Sequence, residues 1–527
     1  MLNRLANMAY CLVVAKQSGQ VFDLGAVLSR ERTEQSMEKP MSLSFDPSLV
    51  RLEPSHYIAG ESINVPGEIT IKRPSDGKVF SECPIASPEL VDQAVEAARV
   101  AVKASGWSVC HPRDRLKALV AWADLVEAHA QELGQIEAVP STRLISEVVK
   151  GEIPIIAEQI RFFAELADKE GGFLAPTADT QLGLIEHEPY GVIGAITPWN
   201  FPMSMAIWKL APALAAGNAV VLKPSEMTPF SAVRLAQLAE KAGLPKGLIN
   251  IVQGDGATTG TALTGHPGIG KVSFTGSTRA GAAISQNVAR TGLKPVTLEL
   301  GGKSPQVVFA DVEFDKTVDR VIRGIMPNAG QACVSGSRLL VEETLADRLI
   351  DAVKTRMQDI RPGPTWDAEA TYSPVISKQQ RTRIDKIVRE TVAEGAELLC
   401  GGTPIEREGY YYTPTILGNV AQTSRAVREE VFGPVLTVQT FRDEDEALAL
   451  ADHPDYGLCA GVHTQNMSRA IRMARSIKAG TVWVNRYGRS RDHILPSGGY
   501  KSSGIGKDLG REAYLGAMRS KTILVDF

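Results

Sequence analysis

From Tyr190 to Gly302 the chain alternates short apolar runs of strand character with longer runs of helical period. YGVIGAIT, NAVVLK, LINIVQG, KVSFTG and PVTLELGG read as strands, while MSMAIWKLAPALAAG, SAVRLAQLAEKAG, TTGTALTG and TRAGAAISQNVARTG read as helices between them. Strands joined through helices predict a parallel α/β sheet with helical crossovers. The polar and glycine-rich residues follow the strands: Thr197 to Asn200, Lys223 to Glu226, Gly254 to Gly256, Gly276 with Ser277, and Glu299. In an open sheet of this kind the carboxyl ends of the strands border the ligand crevice. A second alternating stretch, Gln306 to Asn485, predicts another α/β unit, and Ser87 to Ala167 reads as largely helical. Gln181 to Glu188 and Lys521 to Phe527 are polar strand-like pieces, open to pairing with each other or with another subunit.

At 527 residues the chain exceeds one ordinary core, so two large domains are expected. Its 57 basic and 60 acidic residues give a formal charge of −3 without blocks of like charge, which argues against nucleic acid as a partner. Cys11, Cys83, Cys110, Cys333, Cys400 and Cys459 are scattered without CxxC spacing, the pattern of free thiols in a reducing, cytoplasmic setting. The eight histidines are dispersed, without HExxH, so no metal is expected. Met203 to Leu222 is interrupted by Lys209 and Asn218 and reads as a helix followed by a strand, so no membrane partner is expected. Near the start, Arg4 precedes a short apolar run, Met8 to Ala15, with no small-residue cleavage site before Lys16. Residues 1–45 are expected to form a disordered extension, or to precede a true start at Met37 or Met41.

Cys333 in GQACVSGSR and Glu299 in ELGGKSP are the residues best suited to nucleophilic chemistry. Free cysteine is among the most buried residue types, so Cys333 alone also reads as core. Glu299 alone also reads as a capping or ion-paired carboxylate, although one set between Leu298 and Leu300 is costly to bury without a purpose.

The motifs TPWNFP, KPSE, FTGS, ELGGKSP, GQAC and EEVFGPV occur in this order, and from about Tyr57 to the end the chain resembles the aldehyde dehydrogenase superfamily. The resemblance implies two Rossmann-like parallel α/β domains, cofactor-binding and catalytic, with a small β oligomerisation element. Residues 46–170 and 190–301 would form the NAD-binding domain, 302–500 the catalytic domain, and 171–189 with 501–527 the oligomerisation element of a homodimer or homotetramer. It implies an aldehyde oxidised to the acid through a thiohemiacetal, with Cys333 as nucleophile, Glu299 as base and Asn200 in the oxyanion hole. The presence of Glu299 favours hydrolysis to a free acid over transfer to coenzyme A. The alternatives are a cysteine-dependent ester or thioester hydrolase and a non-catalytic protein of the same fold.

The cofactor residues implied are Ile196, Thr197, Pro198, Trp199, Lys223, Ser225, Glu226, Gly256, Phe274, Gly276, Ser277, Leu300, Glu430 and Phe432. Glu226 would accept hydrogen bonds from the adenosine ribose and repel a 2′-phosphate, so NAD is favoured, while Lys223 and Arg279 leave NADP open. Gly276 and Ser277 would offer backbone N–H groups to the pyrophosphate at a helix start. Gly276 to Gly281 does not match GxGxxG, so glycine spacing alone does not point to a dinucleotide. Asp508 in GIGKDLG stands where many relatives have a glutamate that serves proton release.

The aldehyde tunnel implied is lined by Phe201, Met205, Trp208, Val334 and Ser497, with the loop from Arg486 to Tyr500. Phe201, Met205 and Trp208 share a helical face and read equally as a core stripe. Ser497 and Pro327 stand where relatives carry aromatic residues. Arg486, Arg489 and Arg491, beside Asp492 and His493, suit an anionic substrate group, a solvated basic loop or a subunit contact alike. EAVPSTRLI, residues 137–145, departs from a glycine-containing turn, and Pro140 should still break the helix.

Overall fold

Eight strands make the first sheet of the computed structural model, which describes residues 42–489 and 493–527. Its centre is β1 (Val192–Ile196), β2 (Ala219–Lys223), β3 (Ile249–Ile251), β4 (Lys271–Thr275) and β5 (Val296–Glu299), all parallel in the order β3-β2-β1-β4-β5. β1, β2 and β4 are buried along their whole length, as expected of strands covered on both faces. Each fully buried Val or Leu in them contributes about 2 kcal/mol. The strand order reverses between β1 and β4, so a crevice opens at their carboxyl ends.

Helix α1 (Pro202–Ala215) links β1 to β2, α2 (Phe230–Lys241) links β2 to β3, and α3 (Thr278–Thr291) links β4 to β5. Ser277 caps α3, its hydroxyl accepting from the Ala280 N–H. Between β3 and β4 the helix expected over TTGTALTG is a π turn, Gly256–Gly260, running into Thr261–Gly265, because the Asp255 carboxylate accepts the Thr258 N–H and starts the turn early. Residues 87–167 are largely helical, as their pattern predicts. Pro88–Ser105, Pro112–Ala128 and Ile153–Leu166 pack into the same core as the sheet through Val95, Trp122 and Phe163. Ala130–Ala138 stops two residues before Pro140.

The second sheet has β6 (Pro305–Val308), β7 (Arg338–Glu342), β8 (Thr415–Gly418), β9 (Val435–Phe441), β10 (Cys459–His463) and β11 (Thr481–Val484), parallel in the order β8-β9-β7-β6-β10-β11. Glu397–Cys400 adds antiparallel to β8. Gln181–Pro189 pairs with Met518–Asp526 over nine residues and with Phe173–Ala175 on its other side, so the two polar strands partner each other. Gly504–Ile505, by contrast, closes the edge of the first sheet against β5.

No helix among the described residues is long and apolar enough to cross a membrane. Cys83, Cys110, Cys333, Cys400 and Cys459 are free thiols, as their spacing predicts. The expectations for the first forty-one residues and for Arg491 and Asp492 lie outside the described residues. At the end of the expected extension, Phe45 N–H donates to the Trp366 carbonyl.

Candidate active site

A cavity of about 940 Å³ lies at the carboxyl ends of β1, β4 and β5, with Asn200, Glu299 and Cys333 on its wall. Asn200 belongs to the loop between β1 and α1, Glu299 ends β5, and Cys333 precedes β7 of the second sheet, so residues far apart in sequence meet there.

The turn before Cys333 is a strained one. Asn328 and Ala329 take φ of 52° and 50°, and Gly330 follows at 71°. Side-chain bonds hold it: Thr142 Oγ1 donates to Asn328 Oδ1 at 2.6 Å, and Asn328 Nδ2 donates to the Asn200 carbonyl at 3.0 Å. Thr142 comes from the segment that departs from the glycine-containing turn. Asn200 Nδ2 donates to the Gln331 carbonyl at 2.9 Å, leaving its second N–H for another acceptor. A Cβ on Gly330 would sit 2.2 Å from the Gly433 carbonyl oxygen, and one on Gly302 would sit 2.6 Å from that of Cys333. Cys333 and Val334 pack on Leu458, Cys459, Trp483 and Tyr487. Burial, then neighbouring Cys459, Glu430 and Glu299, push the Cys333 thiol up, and Arg489 opposes them.

Burial and the nearby Asp508 raise the Glu299 carboxyl well above its usual range, while Lys209, Arg489 and Lys507 pull it down. Its Oε1 is buried without a partner. Asp508 is not on the cavity wall; it forms a buried ion pair with Lys209 Nζ at 2.5 Å. Sequence reading places Lys209 merely as an interruption in an apolar run, and its side chain is fully buried in α1. A lysine inside so apolar a helix was the available clue, because buried charges demand a partner.

Glu430 and Phe432 reach the cavity from the segment before β9. Glu430 Oε1 accepts the Gly302 N–H at 3.1 Å, and burial pushes its carboxyl up to about 7. Phe432 has φ of 56° and meets Trp199 edge-on at 5.3 Å. Their backbone carbonyls are held from Lys378–Ala393, a helix outside the sequence expectations. Gln380 Nε2 donates to the Phe432 carbonyl at 2.8 Å, and Arg383 Nη2 donates to that of Glu430 at 2.8 Å. Lys303 is buried with Nζ unpartnered, and burial, aided by Arg338, lowers its pKa to about 7.

Of the other cofactor residues expected, Pro198, Trp199, Gly276, Ser277 and Leu300 line the cavity. Ile196 ends β1, Thr197 follows it, and Phe274 lies inside β4; all are buried. Lys223 ends β2, Ser225 and Glu226 follow it, and Gly256 follows β3, all off the cavity wall. Lys223 Nζ donates to the Gly254 carbonyl at 2.6 Å and lies 3.7 Å from the Glu226 carboxylate, whose side chain is 36% exposed. An accessible carboxylate pinned beside a buried cation at a strand end, with the capped start of α3 at the next crevice, fits a dinucleotide laid along these ends.

At the substrate end, Phe201, Met205, Trp208 and Val334 line the cavity, so the shared helical face opens on the site. Pro327 lines it as well. Ser497 does not; it is buried behind Arg489, whose Nη2 donates to its hydroxyl at 2.6 Å. Arg143, from the departing segment, lies over the Phe201 ring at 4.4 Å and pairs with Glu147 and Glu152.

Residues 62–523 match the model of the aldehyde dehydrogenase family. An aldehyde dehydrogenase of Davidiella tassiana is 40% identical over 452 residues, 86% of this chain and 90% of that protein. The NAD+ complex of an aldehyde dehydrogenase from Bacillus cereus superimposes with a TM-score of 0.89 at 35% identity, covering 92% of this chain and 100% of the other. Betaine aldehyde dehydrogenase from Staphylococcus aureus, also with NAD+, gives 0.87 at 36% identity over 91% and 96% of the two chains. With five of its six motifs on one cavity and these matches spanning nearly the whole described chain, the protein belongs to the aldehyde dehydrogenase family.

Proposed function

We propose that this chain oxidises an aldehyde to the carboxylic acid with NAD, using Cys333 as nucleophile, Glu299 as base and Asn200 as an oxyanion donor. The observation that carries the reading is the convergence of these three side chains, from two sheets, on one cavity. Glu299 takes the Cys333 thiol proton, directly or through water, as the sulfur adds to the aldehyde carbon, and the oxygen takes negative charge as the thiohemiacetal forms. The free N–H of Asn200 and the backbone N–H of Cys333 receive that oxygen, an arrangement of preorganised donors whose loss costs about 3 kcal/mol in the transition state. The nicotinamide of bound NAD supplies the hydride acceptor. Water then attacks the resulting thioester, and Glu299 takes its proton. Asp508 and Lys209, buried beside Glu299, form the outlet for that proton.

Glu430 and Phe432 would hold the nicotinamide half of the cofactor, with Gly276 and Ser277 at its pyrophosphate. Lys223 and Glu226, with Ile196, Thr197, Pro198, Trp199, Ser225, Gly256, Phe274 and Leu300, would hold or shape the remainder. The carboxylate of Glu226 favours NAD over NADP. Residues 46–170 and 190–301 serve as the NAD-binding domain, 302–500 as the catalytic domain, and 171–189 with the end of 501–527 as the arm of a homodimer or homotetramer. The mutually paired polar strands, exposed along most of Met518–Asp526, support that arm. NADH formation by purified protein, with a panel of aldehydes and with NAD or NADP, tests the reading. Turnover with NAD is expected, and a protein that binds NAD but oxidises no aldehyde contradicts it.

A further inference from the structure

The substrate end of the cavity holds two buried hydrogen-bond donors without an acceptor, Arg489 Nε and Trp208 Nε1. They are neighbours: the Arg489 guanidinium lies over the Trp208 ring, 5.5 Å from its centroid. Leaving such donors unpaired is costly, and a charged one costs most. The Ser497 hydroxyl bound to Nη2 orients the guanidinium without neutralising it. Of the other arginines at this end, one is ion-paired and one is exposed to solvent. Arg143 is matched by Glu147 and Glu152, and Arg323 is exposed with its Nη2 3.4 Å from the Arg489 backbone carbonyl.

We propose that Arg489 and Trp208 receive a carboxylate at the far end of the substrate, so that the natural substrate is an aldehyde bearing one carboxylate. This rests on the dehydrogenase reading above. A carboxylate supplies the acceptors both donors lack, and its bond to guanidinium is charge-assisted. One guanidinium balances one negative charge, which favours a carboxylate over a phosphate dianion so near Glu299. The same cavity is lined by Phe201, Met205 and the Trp208 ring, apolar surface suited to methylene groups. The reaction consumes aldehyde, NAD+ and water and yields a dicarboxylate, NADH and protons.

The test compares adipate semialdehyde with hexanal, which share a chain length, by NADH formation. Wild type should favour the semialdehyde in kcat/KM by roughly 100-fold or more, expressed mainly in KM. Arg489→Met should lower that preference roughly 100-fold, and Arg489→Lys should restore part of it. Trp208→Phe, which keeps the ring, should lower it by roughly tenfold and gives an independent reading should Arg489→Met fail to fold. Equal use of the two aldehydes by wild type, or a preference that survives in Arg489→Met, overturns the carboxylate anchor. NADH from neither aldehyde overturns the dehydrogenase reading instead.

Discussion

The side-chain amide of Asn200 donates to the backbone carbonyl of Gln331 at 2.9 Å, two residues before Cys333. One bond thus ties the loop after β1 of the first sheet to the turn that precedes Cys333, ahead of β7 in the second. Asn200 positions the turn, beside the oxyanion role proposed for its second N–H. Replacing Asn200 with alanine should lower kcat by about 10²- to 10³-fold. Alanine also removes the shorter of two side-chain bonds to the Gln331 carbonyl, leaving only that from Asn328 Nδ2 at 3.2 Å, so a fall in thermal midpoint should accompany the kinetic loss. A kcat within threefold of wild type would remove Asn200 from the oxyanion site.

Glu299→Gln separates the base from the carboxyl's cost. Hydrolysis of the thioester should slow by roughly 100-fold or more, with the first turnover of NADH retained. Because burial raises the Glu299 carboxyl, its basic form grows as pH climbs through the raised value, so the wild-type hydrolytic rate should increase with pH. The stability effect has the opposite sign. Above about 4.3, where the unfolded carboxyl ionises, the native state binds more protons at this site, so its contribution to stability falls as pH rises. Glutamine abolishes that fall, and thermal midpoints measured across pH for both proteins should show it.

Much of this site was legible because its parts follow strands. β1, β2 and β4 are buried on both faces and read as continuous apolar runs, and the residues that follow them form the crevice. The meeting of Lys209 with Asp508, 299 residues apart, had no local trace. Nor did the Thr142 bond to Asn328, since both residues read as ordinary turn chemistry. Lys378–Ala393 did carry a readable pattern: Ile384, Ile387, Val388 and Thr391 are buried at helical spacing behind a Ser377 cap. Glu397–Cys400 is too short, and too exposed at its start, for alternation to mark it. Among the arginines of the 486–491 loop, sequence could not choose, whereas the structure sets Arg489 in the cavity against Trp208.

Cofactor choice should turn on Glu226. With the carboxylate replaced by serine, repulsion of a 2′-phosphate disappears, and kcat/KM for NADP relative to NAD should rise roughly tenfold. Initial rates with both cofactors measure the ratio; an unchanged ratio would place the adenosine ribose elsewhere.

Gly302 has no room for a side chain, because its Cβ would press on the Cys333 carbonyl oxygen at 2.6 Å. Gly302→Ala should therefore displace Cys333 and, on the proposed mechanism, lower kcat by about 100-fold. Iodoacetamide labelling of Cys333 in wild type and variant reports the displacement separately from turnover.

Removing residues 518–526 leaves Gln181–Pro189 without its long partner strand. Light scattering should then show a smaller assembly than the full chain forms, and an unchanged mass would exclude this arm from the oligomer interface.

The most direct measurement is mass spectrometry of Glu299→Gln quenched after mixing with NAD and an aldehyde. An acyl group, two hydrogens lighter than the thiohemiacetal, should sit on the peptide carrying Cys333 and be absent without NAD. An unmodified Cys333 during NADH production, or an acyl group on another residue, would contradict the assignment of the nucleophile.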